Sequence, residues 1–146
     1  MRNRIAFAVL VGLFVAADAA QNDAAMQEAK KLEGRWIGML VEHKGKPVGF
    51  GKWTLVIEGD KYTLKGPKVN EKEMTEEGTF KLNPTQKPKA VDLTPVNGRG
   101  ETRLGIYELD GDRGTACFAS IGSKDRPKDL ATKADGHDYL WKFQRD

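Results

Sequence analysis

The chain has 146 residues, 31% of them charged, with a formal net charge of +3 and 39% hydrophobic side chains. Both signs are interspersed and the longest basic runs are Lys30-Lys31 and Lys44-Gly45-Lys46, which excludes a nucleic-acid binder that works through a basic patch. A lone cysteine, Cys117, excludes an internal disulfide.

The N-terminus reads as a leader. Arg2 and Arg4 make a positive start, and residues 5–17 form an unbroken apolar run of 13 residues. Ala17-Asp18-Ala19 fits a small-x-small cleavage site. The run is shorter than the ~20 residues of a membrane-spanning helix, so residues 1–19 are expected to be a cleaved secretory signal peptide. Cleavage removes two positive charges and one negative, taking the formal +3 to +2. Residues 20–146 then form one domain, secreted or periplasmic, with no membrane span and enough chain to bury a core.

Residues 21–32 are rich in helix formers, and Ala25, Ala29 and Leu32 can share a face. A short helix is expected there, capped by Asp23 and ended by Glu33-Gly34. The first strand, 34–42, follows. His43 to Pro47 reads as a turn. The glycines around Phe50 suggest a bulge entering the second strand, 49–58, in which Trp53, Leu55 and Ile57 share a face. Glu58-Gly59-Asp60 is a hairpin turn. A third strand covers 61–66, where Gly66-Pro67 is expected to break it. The charged segment 68–77 reads as a loop passing into a fourth strand at 75–82.

The stretch from Gly78 to Ala119 is the clearest. Phe80 and Leu82 alternate with Thr79 and Lys81, the period of a strand with one wet face. Pro84 and Pro88 enforce a turn. Strands at 89–94, 102–109 and 113–119 follow, the last two joined by Asp110-Gly111, which tolerates the positive φ of a hairpin turn. In 104–109 both faces carry apolar residues, which points to a cover from the N-terminal helix or a partner. Residues 120–136 are a long polar loop with Pro127. Tyr139, Trp141 and Phe143 alternate in a closing strand, 138–145. Eight short strands at spacings of about 10 residues, with no helical period between them, give an all-β antiparallel barrel with a short N-terminal helix.

Gly34-Arg35-Trp36 after a short helix resembles the Gly-x-Trp opening of lipocalin-type barrels. The segments LEGRWIG, GTFKLNPTQKPKAVDLTP, LGIYELDGD and CFA, with Arg126-Pro127, resemble a large family of exported lipocalin-like domains of unknown function, abundant in planctomycete bacteria. The resemblance covers the whole mature chain. It implies an eight-stranded lipocalin-like barrel outside the cytoplasm. It also implies structural closure by Gly34 and Trp36, with Arg145 of the last strand laid over the indole. It implies no ligand or activity.

No catalytic constellation is visible. Glu58, Asp60, Asp110 and Asp112 sit in turns, where Asp bonds its own backbone. His137 and Asp138 are neighbours on a strand and face opposite ways. The serines Ser120 and Ser123 lack a nucleophile elbow. Cys117 reads as a small packed side chain. The expectation is a non-enzymatic monomer with no metal and no cofactor. The aromatics leave two readings open. They fill a solid barrel that works through its loops on an exported protein partner, or they line a cup for a small apolar or amphipathic ligand. For the cup, the expected ligand residues are Trp53, Phe80, Tyr107 and Trp141.

Overall fold

The computed structural model describes residues 9–49 and 51–146. One helix, α1 (Val9–Leu32), precedes nine strands. These are β1 (Gly34–His43), β2 (Lys46–Pro47), β3 (Trp53–Glu58), β4 (Lys61–Val69), β5 (Lys72–Asn83), β6 (Lys89–Pro95), β7 (Arg103–Asp110), β8 (Arg113–Phe118) and β9 (Tyr139–Arg145). Every pairing is antiparallel. From β3 to β9 each strand pairs with the next, β1 pairs with β3, and β9 returns to β1. The result is a closed eight-stranded barrel, with β2 as a two-residue tab beyond β3 on β1. Closure leaves no long unpaired edge.

Directly opposed residues share a face, so the register identifies the interior. Trp36 opposes Leu55, Leu55 opposes Leu64, and Leu64 opposes Glu76. Phe80 opposes Leu93, Tyr107 opposes Ala116, and Ala116 opposes Trp141. Trp36, Ile57, Tyr62, Phe80, Val91, Tyr107 and Ala116 form the inner core, and Ala29 and Leu32 of α1 pack onto it. The C-terminal turns of α1 therefore close one end of the barrel.

A second, smaller core lies outside the wall. Ile106, Cys117 and Leu140 are buried there against Val41 and Leu130. Their cover is the segment between β8 and β9. Arg126 clamps it down: Nη1 donates to the carbonyls of Val91 (3.1 Å) and Gly105 (2.8 Å), and Nη2 to Asp92 Oδ1 (2.6 Å). Farther along, Glu42 Oε1 accepts from the Thr132 hydroxyl at 2.6 Å and its backbone N–H at 3.0 Å. The Thr132 bonds hold the Glu42 carboxyl below its ordinary value.

Several expectations need correction. The cover over the apolar outer face of β7 is this loop, through Leu130, rather than the helix. The helix runs from Val9 to Leu32, so Asp23 lies inside it and caps nothing. The second strand begins at Trp53. Phe50 lies outside the described residues. Gly66-Pro67 does not end β4; the register shifts between Lys65 and Lys68 and the strand resumes. A bulge of this kind lets proline sit where no ladder bond is required. Residues 68–77 are accordingly two strand ends joined at Asn70-Glu71. Among the described residues, no helix is long and apolar enough to cross a membrane.

Candidate functional site

The barrel interior is not completely filled. A cavity of about 130 Å³ remains, lined mainly by apolar side chains from α1 and the barrel strands. Phe80, Tyr107 and Trp141 line it, together with Trp36, Tyr62 and Phe118. Trp53 stands apart from this lining. It is buried with its ring over Gly66, where a Cβ would run into the indole, and edge-on to Trp141 at 5.3 Å. Trp141 in turn stacks on Phe143 at 5.9 Å. The four aromatics named from the sequence thus share one face of the sheet, three of them on the cavity and one beside it.

The helix end is sealed by polar contacts. Arg145 lies over the Trp36 ring at 4.2 Å. Its Nη1 donates to the Glu33 carbonyl (2.8 Å) and its Nη2 to the Lys31 carbonyl (2.6 Å), orphan acceptors at the end of α1. Trp36 Nε1 donates to the Leu32 carbonyl at 2.8 Å. Gly34 has φ +119°, and a Cβ there would lie 3.1 Å from Arg145 Nη1. So Gly34, Trp36 and Arg145 meet as one cluster beneath the helix. Glu28 is 4% exposed, the one buried charged residue among those described. Its Oε1 accepts from Lys89 Nζ (2.8 Å) and the Tyr107 hydroxyl (3.2 Å), and Oε2 lies 3.5 Å from Lys31 Nζ. Burial alone would raise the Glu28 carboxyl. The hydrogen bond and charge of Lys89, with Lys31 and Tyr107, outweigh it and hold Glu28 below its ordinary value. Burial, then the Glu28 charge, pushes the Tyr107 phenol up.

Toward the other end, the wall carries one inward ion pair. Arg103 Nη1 donates to Glu76 Oε2 at 3.1 Å, and the Tyr62 hydroxyl donates to the same oxygen at 3.3 Å. Both charged side chains line the cavity and keep about a quarter of their surface in solvent, at 27% and 26%. Burial, then the Glu76 charge, raises the Tyr62 phenol, so it remains a donor. Sequence reasoning missed this pair. The signal available was parity: Glu76 falls on the same face as Phe80 and Leu82, and Arg103 directly opposes Leu93.

The groups considered for catalysis are dispersed. His43 stacks on Tyr139 at 4.2 Å, and its Nδ1 lies 2.9 Å from the Asp138 carbonyl oxygen. His137 lines a separate outer groove beside residues 120–138, of about 1250 Å³. The Ser120 hydroxyl donates to the His137 carbonyl, at 3.3 Å. Cys117 is fully buried, and burial first, with Asp138 and Glu42, pushes its thiol up to about 12. Among the described residues, no group of three or more potential ligands gathers as a metal site.

The chain matches no protein-family model, no curated protein and no solved structure.

Proposed function

We propose that the protein is an exported, non-enzymatic binding module that holds a small apolar or amphipathic ligand inside its barrel. The observation that carries this reading is the residual cavity of about 130 Å³, apolar on most of its surface, within an otherwise packed barrel. Its size limits the ligand. An apolar cavity of about 150 Å³ stays dry and takes up benzene or xenon, whereas drug-sized ligands need about 300–1,000 Å³. A long-chain lipid does not fit; a compact body of benzene size does. The closed barrel and the Arg145–Trp36 stack support the resemblance to exported lipocalin-like domains. The positive, apolar, small-residue pattern of residues 1–19 supports export.

The test is an amide and aromatic NMR titration of the mature protein with benzene. Shifts confined to the residues around Phe80, Tyr107 and Trp141 are the expected result. A spectrum unchanged up to the solubility limit of benzene would end this reading.

A second reading rests on the outer groove of about 1250 Å³, whose mixed polar and apolar lining draws largely on residues 120–138. In it the barrel is a solid frame, and the loops grip an exported protein or an envelope polymer. Crosslinking in the envelope fraction tests it: adducts through Lys124 or Lys128 support it, and a clean monomer counts against it.

A further inference from the structure

Glu76 and Arg103 form an inward ion pair with spare bonding capacity. Both bonds to the carboxylate fall on Oε2, from Arg103 Nη1 and Tyr62. No other described residue bonds Glu76 Oε1, and none bonds Arg103 Nη2 or Nε. The pair lining the cavity therefore keeps one carboxylate oxygen and several guanidinium N–H groups without a protein partner among the described residues. The rest of the lining is mainly apolar. The pair sums to zero charge, and Tyr62 keeps its proton.

We infer that the ligand carries a neutral head with both a hydrogen-bond donor and an acceptor, a primary amide or an alcohol, and that Glu76 and Arg103 receive it. The inference rests on reading the cavity as the ligand site. The head donates to Glu76 Oε1 and accepts from Arg103, while its short apolar body lies against Phe80 and Trp141. A carboxylate head would gain Arg103 but stand against Glu76. An ammonium head would gain Glu76 and stand against Arg103. Like charges at such range in a partly desolvated wall repel strongly, so each ion loses on one side what it gains on the other.

The experiment is an NMR titration at neutral pH with four probes: butanamide, butanoate, butylammonium and benzene. The expected order has butanamide roughly tenfold tighter than either ion, the scale of one good hydrogen bond to a charged group. Butanoate or butylammonium binding as well as butanamide would overturn the inference. If benzene enters and butanamide binds no tighter than the ions, the head-group assignment falls and the cavity reading stands. If no probe enters, both fall. The variant Glu76→Gln sharpens the result. It keeps an acceptor beside Arg103 but removes the negative charge, so butanoate should gain roughly tenfold while butanamide changes little. A purely structural role for Glu76 would weaken all probes together. The wild-type ranking decides the matter even if that variant fails to fold.

Discussion

Two glutamates sit at opposite ends of the barrel, and each anchors a cation and a tyrosine. Glu28 takes Lys89 and Tyr107 on one oxygen and has Lys31 3.5 Å from the other. Glu76 takes Arg103 and Tyr62 on one oxygen, and no described residue bonds the other. The first, on the barrel-facing side of the helix, is almost wholly buried; the second keeps a quarter of its side chain in solvent. The same three kinds of group, a carboxylate, a cation and a phenol, therefore make two different things. A saturated cluster at low dielectric is a latch, because removing any member strands a buried polar group. An unsaturated cluster on a cavity wall can take another partner at little structural cost.

The largest test of that contrast is at the latch end. Trp36→Ala removes the ring beneath Arg145 and opens a void under the helix. It is expected to cost about 3–5 kcal/mol in urea unfolding, the range for a buried tryptophan. A loss under about 1 kcal/mol would mean that the helix end is not the sealed one. Next comes Glu28→Gln, expected to lose about 1–3 kcal/mol at neutral pH because Lys89 and Tyr107 face a weaker acceptor. This loss depends on pH in a known direction. The Glu28 carboxyl titrates lower in the folded chain than its ordinary 4.5. Its contribution is full above the unfolded value and fades as pH falls through the folded one. The gap between wild type and Glu28→Gln should therefore narrow steadily below about pH 4.5, as read from urea midpoints. A gap constant down to pH 2 would contradict the latch.

Cys117 tells whether losing the latch opens the whole wall. Its thiol is fully buried and pushed up to about 12, so a thiol reagent at pH 8 should label it only through opening of the outer cover. Arg126→Ala is expected to speed labelling roughly tenfold, through the loss of about 1–2 kcal/mol of clamp. Glu28→Gln should leave the labelling rate nearly unchanged if the helix end opens by itself. The smallest expected effect is that of Glu76→Gln on stability, under about 1 kcal/mol for a partly solvated pair. A larger loss would make Glu76 a second latch and erase the contrast between the ends.

The strands were legible wherever an apolar residue alternated with a polar one. Trp53-Leu55-Ile57, Phe80-Leu82 and Tyr139-Trp141-Phe143 each declare one face. The pattern fails where the buried face itself carries charge. Glu76 points inward, so residues 72–77 show charge on both faces, and the strand reads from 75 although β5 begins at Lys72. Pro67 reads as a stop because a local rule cannot see that the ladder skips there. Which face of the barrel points inward was open from the sequence, since β7 is apolar on both. The answer lies in a contact between Leu130 and Ile106, Cys117 and Leu140, far apart in the chain. One leucine in a polar loop carries no periodic signal. The candidate site was half legible for the same reason: its aromatic wall follows the alternation, and its ion pair interrupts it.

The seam between β1 and β9 has a consequence for how the molecule comes to be. Arg145 reaches back to the carbonyl of Lys31, 114 positions earlier. Until β9 is in place, β1 lacks its partner on that side and Trp36 lacks the cover of Arg145. Contacts of such long range are slow to form, because the chain must be ordered before they reward it. The barrel therefore cannot close before β9 joins β1. Losing β9 would leave both β1 and β8 without a partner on that side, so a chain truncated after residue 138 should remain an unclosed, sticky sheet.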